Sequence, residues 1–123
     1  MPERLAFEYA VIRIVPRVER AEFINAGVVL ICRAKRFLGA QVELDRTRLT
    51  CFAPFCQEDQ IDRIEEQLAL IPRIAAGDPT AGPIAALDFR ERWHWLSSPA
   101  HTGVCLDPEE VLSTLFDELV RLP

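Results

Sequence analysis

Phe23-Ile24-Asn25-Ala26-Gly27-Val28-Val29-Leu30-Ile31-Cys32 is the stretch on which the fold turns. The β-branched run from Val28 to Ile31 reads as a buried strand. Gly27, just before it, marks a bulge or a close backbone approach. Asn25 is the only asparagine in the chain. It disfavours a strand interior, yet it sits between Ile24 and the buried run.

Upstream, Phe7 to Val15 reads as a second strand. Phe7, Tyr9, Val11 and Val15 fall on one face, and Ala10, Ile12 and Ile14 on the other, as for a central strand covered on both sides. Pro16 ends it by removing a donor. Downstream, Arg33 to Arg36 is a short basic turn, and Phe37 to Leu44 is a third strand. Three strands over 7–15, 26–32 and 37–44 with short connectors pair as an antiparallel meander.

The rest of the chain supplies helices. Asp45 caps a short turn through Leu49. Ile61, Ile64, Leu68 and Ile71 form one apolar stripe, predicting a helix over 58–71 that stops or kinks at Pro72. Residues 77–83, Gly-Asp-Pro-Thr-Ala-Gly-Pro, are a loop. Read as extended, the segment holding Trp93 and Trp95 puts both rings on one face and His94 on the other. Packing is the commoner use of such a tryptophan pair than base stacking. Val104 to Leu106 is a candidate fourth strand. Asp107, Pro108 and Glu110 form a helix start with a capping box, predicting a helix over 108–121. The fold class is α+β: a small antiparallel sheet of three to four strands packed with two main helices, in one domain over residues 1–123.

The 123 residues are half hydrophobic and 27% charged, an ordinary globular balance. No apolar run approaches the ~20 residues needed to span a bilayer. The N-terminus lacks the basic start and apolar core of a secretory signal. A cytoplasmic location is therefore expected. Residues 1–50 carry nine Arg/Lys against six Asp/Glu, and residues 51–123 carry five against thirteen. With a pI near 5.0, two faces that neutralise each other describe this better than a nucleic-acid patch.

Few residues offer chemistry. Cys51-x4-Cys56 with His101-x3-Cys105 has poor spacing for zinc, so the expectation is four reduced cysteines and no metal or other cofactor. Ser97, Ser98 and the two histidines lack a nucleophile elbow, and there is no glycine-rich phosphate loop. What remains is the polar turn. Asn25 brings an amide and Gly27 permits close approach; Glu22 lies nearby, with Arg13, Arg17 and Arg20. Its plain structural reading has Asn25 bonded to local backbone. Its functional reading is a pocket for a small anion or a peptide backbone.

Tyr9-Ala-Val-Ile-Arg13-Ile-Val-Pro16, followed by Arg20-x-Glu22-Phe-Ile-Asn25-Ala-Gly27-Val-Val-Leu30, resembles a bacterial family, domain of unknown function 3037. The segment Arg92-Trp-His-Trp-Leu96 and the acid-capped last helix also fit it. Ala26 stands where the pattern leads one to expect valine. The family carries no assigned activity, so the resemblance implies no mechanism. Members are expected near HipA-like kinase genes, so the resemblance implies a kinase-like protein partner; the charge asymmetry adds a second copy of the chain, as a homodimer, to the expected partners. The lack of a credible catalytic set and the charge asymmetry favour an interaction module over an enzyme. The alternative is an enzyme or binder that takes a phosphate-containing or other anionic ligand through Arg13, Glu22 and Asn25. The candidate binding residues are Arg13, Arg20, Glu22, Asn25 and Gly27.

Overall fold

A computed structural model describes residues 4–16, 22–97 and 107–121, and residues 101–105 as backbone. Strands β1 (Leu5–Ile14), β2 (Ile24–Cys32) and β3 (Phe37–Val42) form the expected antiparallel meander. Strand β4 (His101–Cys105) pairs antiparallel with β1, giving the sheet order β3-β2-β1-β4. Helices α1 (Arg46–Phe52), α2 (Glu58–Ala76), α3 (Phe89–Leu96) and α4 (Pro108–Leu119) complete the α+β fold.

The sheet is the middle of three layers. On one face Ile14, Ile24 and Ala26 pack with Leu49, Ala53, Ile61 and Leu68 from the α1–α2 side. Further along that face, Ala10, Val29, Ile31 and Leu38 pack with Ala75 and Trp93. On the other face Val28, Leu30 and Cys32 meet Leu112, Phe116 and Val120 of the α4 side. The continuous apolar run of β2 follows from this, since residues of both parities are buried completely. That strand, not β1, is the one sealed on both sides. β1 buries only Ala10 and Ile14 fully.

Both readings of Gly27 hold. The pairing steps from Ile12–Gly27 to Arg13–Asn25, so Ala26 is the extra residue of a bulge. A Cβ on Gly27 would lie 2.7 Å from the Gln41 carbonyl oxygen and 2.8 Å from Val42 Cγ1. Glycine is required there by space.

Two expectations are corrected. Pro72 does not end α2, which runs on to Ala76 and stops at Gly77 in the left-handed conformation, φ 78°. The lost backbone bond is outweighed because the apolar stripe continues to Ala75, which is buried against the sheet. The tryptophan segment is helical, not extended. Asp88 caps α3 by accepting from the Glu91 N–H at 2.9 Å. Two residues apart on a helix, the rings diverge: Trp93 is 2% exposed and Trp95 66%. The other caps follow the sequence more closely. Asp45 accepts from the Arg48 N–H at 3.0 Å, and Asp107 from the Glu109 N–H at 3.1 Å, so the Asp107 bond is one position short of the N3 residue.

Candidate functional site

Arg13 and Asn25 are register partners on neighbouring strands, just past the bulge. The plain reading of Asn25 as a locally bonded turn residue is replaced by a long-range one. Its Nδ2 donates to the carbonyl oxygen of Leu119 at 2.9 Å, across 94 residues of chain. Leu119 is the last residue of α4, whose final carbonyls have no partner within the helix. Asn25 thus caps α4 from the sheet. Its Oδ1 is buried and makes no hydrogen bond among the described residues.

Beside Asn25 is a hollow of about 320 Å³ lined by Glu43, Asp45, Arg48 and Arg121, among others. Its charges are largely used. Arg121 pairs with Glu43 and with Asp117, both at 3.1 Å. The hydrogen bond to Glu43 is the main reason its pKa is raised. The Asp45 carboxylate holds the α1 N-terminus. Two carboxylates at the rim make this a poor seat for an anion.

The sequence candidates separate. Arg13 is exposed, and its guanidinium lies 4.2 Å from the centre of the Phe23 ring. Glu22 is half-buried. Gly27 is buried beneath β3 contacts and presents nothing to solvent. Arg20, like Arg17, lies outside the described residues. Asn25 lines the small hollow and Arg13 lines a different, larger one.

That larger feature is a groove of about 660 Å³ between β1 and α2. β4 pairs with β1 only as far as Tyr9 opposite His101, whereas β1 runs on to Ile14. On that side no described strand covers residues 10–14. Five consecutive residues, Ile12 to Pro16, line the groove. Three of them end β1 and the last two follow it. The opposite wall is α2, with Ile64, Leu68 and Ile71 as floor and Gln60, Arg63 and Gln67 above. Val15, 43% exposed, and Phe55, 45% exposed, stand at its mouth.

Charge is sorted across α2. Asp62 and Glu65 turn to Arg46 of α1, at 2.8 and 3.4 Å. The side facing β1 keeps Arg63, and among the described lining residues Arg13 and Arg63 are the charged groups, with no carboxylate. Arg63, Gln60 and Gln67 therefore rim an apolar floor, with Arg13 in the β1 wall. Among its described lining residues Cys56 is the one thiol, and none is a histidine or a carboxylate. Among the described residues no three His, Cys, Asp or Glu side chains come together as a metal site would need.

A family model described as "Protein of unknown function (DUF3037)" matches residues 9–120. The chain belongs to this family. No curated protein and no solved structure matches it. The DUF3037 span takes in the second half of β1, all of α2 and Asn25 with its helix partner Leu119. DUF3037 brings no activity of its own, so the geometry of the chain carries the functional reading. The groove is not legible in the sequence because β1 and α2 meet only through tertiary packing. The one sequence signal near it is Arg13, a charge towards the end of a largely apolar strand.

Proposed function

We propose that this protein is an interaction module whose groove between β1 and α2 seats a segment of another protein. The observation that carries the reading is the groove itself: about 660 Å³, apolar-floored, with Val15 and Phe55 exposed at its mouth and no carboxylate in its described lining. Exposed large apolar groups gathered around a concavity, with a polar rim, mark binding surfaces. The absence of carboxylates matters because the chain as a whole carries a net charge of −5. This wall is a local exception with a positive field, which steers an oppositely charged partner. Among the described residues Arg13 and Asn25 line separate hollows, which favours the groove over an anion site built on the two together.

Site-specific photocrosslinking in cells tests the proposal. A photoreactive residue at Gln67, in the groove, is expected to give one protein adduct that then binds the purified module. The same residue at Ser113, on the exposed side of α4, is expected not to give that adduct. Equal adducts from both positions would contradict the assignment of the groove.

A further inference from the structure

We propose that two copies of the chain pair through the outer edge of β3, joining their sheets into one continuous antiparallel sheet about a two-fold axis. This surface lies at the β3 end of the sheet, away from the groove, and stands independently of the reading given to the groove. β3 is the terminal strand on its side. The N–H of Glu43 donates to the carbonyl oxygen of Ala26 at 2.8 Å, one step beyond the pair Val42–Gly27. Hydrogen-bonded and open pairs alternate along an antiparallel ladder. Phe37, Gly39 and Gln41 therefore bond to β2, and the backbone N–H and C=O groups of Leu38, Ala40 and Val42 point outward. Among the described residues no backbone or side chain bonds these outward groups. A hollow of about 460 Å³ follows the edge along residues 37–41, walled by Pro72 and Ala76 of α2 and by Glu109 and Ser113 of α4. Phe37–Val42 carries no charge and no proline, and its ladder with β2 has no bulge. Exposed edges are ordinarily guarded by such devices, so a bare edge is a surface suited to being covered.

The occupant is a second copy because the segment is complementary to itself when reversed. An antiparallel pair matches outward residues with outward residues. Setting Ala40 against Ala40 of the second copy places Leu38 opposite Val42, so every outward residue of both strands is bonded at once. Sliding by two residues in either direction sets an outward residue against Arg36 or Leu44, which lie outside the strand. In the centred register Gly39 meets Gln41, and small side chains gather at the axis. Charge sorts the same way. Lys35 and Arg36 precede the strand, and Glu43 and Asp45 follow it. Reversal brings the basic end of each copy to the acidic end of the other, with Lys35 opposite Asp45 in the same register. Glu43 is already held by Arg121 of its own chain, which leaves Lys35 against Asp45 as the main charge contact at each end. Lys35 and Arg36 are exposed and form no ion pair among the described residues. A parallel partner copy would set base against base and acid against acid.

Analytical ultracentrifugation of the full chain over a range of concentrations, with amide hydrogen exchange read by NMR at each, tests the pairing. The expected result is a concentration-dependent species of twice the 14.0 kDa chain mass. As it forms, the amides of Leu38, Ala40 and Val42 gain protection, while those of Gly39 and Gln41 are protected at every concentration. Ala40→Pro removes the outward N–H at the axis without touching a bond to β2. It is expected to weaken the pairing by about a hundredfold, with the fold checked by circular dichroism. Lys35→Glu, in an exposed turn, is expected to weaken it by about tenfold, because the two-fold repeats the reversed contact at both ends. Added salt is expected to weaken the wild-type pair and to strengthen that of the variant. Should Ala40→Pro unfold, Lys35→Glu and the exchange pattern decide. A chain that stays monomeric up to about a millimolar overturns the proposal. So does a dimer in which Leu38, Ala40 and Val42 stay unprotected, or one indifferent to Lys35→Glu and to salt.

Discussion

The capping of α4 by Asn25 makes a quantitative prediction, because three effects act on one side chain. In Asn25→Ala the 2.9 Å bond from Nδ2 to the Leu119 carbonyl is lost, which costs about 0.5–1.5 kcal/mol. The carbonyl is left at a helix C-terminus, part-buried, so water meets some of its need. Against this, the substitution also removes Oδ1, a buried acceptor without a partner among the described residues, and so relieves a desolvation cost. The net expectation is a loss of about 1 kcal/mol, or roughly 3–5 °C in Tm for a domain of this size. Asn25→Asp separates the effects. It keeps the shape but places a carboxylate against a carbonyl oxygen and the negative end of α4, so it should cost about 2 kcal/mol or more at pH 7. Repulsion raises the folded-state pKa of the introduced carboxylate above its unfolded value. The protonated form is then tolerated and the charged form is not. The deficit should shrink as pH falls from 7 towards 4, and be restored as pH rises through the folded pKa. Thermal denaturation of wild type and both variants at several pH values measures this. A Tm for Asn25→Ala equal to wild type, together with a pH-independent deficit for Asn25→Asp, would refute the capping account.

Further predictions follow from individual contacts. Gly27→Ala drives a Cβ to within 2.7 Å of the backbone oxygen of Gln41 and should cost about 1–3 kcal/mol in urea denaturation. Gly39→Ala should cost less, because its closest neighbour is the Phe37 ring edge, which can turn. Trp93→Ala should cost about 3–5 kcal/mol through loss of a buried ring, whereas Trp95→Ala should leave stability within about 0.5 kcal/mol; denaturation followed by circular dichroism distinguishes them. Asp78, hydrogen-bonded by the Thr80 hydroxyl and backbone N–H and by Arg73, has its pKa lowered to about 2. Its contribution is present above the ordinary carboxylate range and is lost as pH falls towards 2. Carboxyl NMR titration should show that midpoint, and Thr80→Ala should move it upward.

The meander was legible because β2 and β1 carry long β-branched and aromatic runs broken by Pro16 and the basic turn at Arg33–Arg36, signals that tertiary contacts reinforce. Gly27 was legible in kind, since glycine before a buried run implies a bulge or close approach, and both are present. α3 was misread because Trp-x-Trp alternation imitates a strand. The Asp88-x-x-Glu91 cap just upstream was the competing signal, and it prevails because one buried ring satisfies the core while the other faces solvent. Pro72 was read as a stop from local propensity, which packing of Ala75 overrode. Asn25 stood out by being unique, but its partner is 94 residues away and no local pattern reports it. The groove was the least legible feature. It lies where, among the described residues, β4 no longer pairs with β1, and strand length is the least reliable product of sequence patterns.

The central claim is that the groove between β1 and α2 is the working surface. Two-dimensional amide NMR of the labelled protein, titrated with the protein captured by crosslinking at Gln67, tests it most directly. The account predicts the largest shifts at Ile12 to Val15 and along Gln60 to Ile71. Shifts centred instead on Asn25, Arg48 and Arg121 would contradict it.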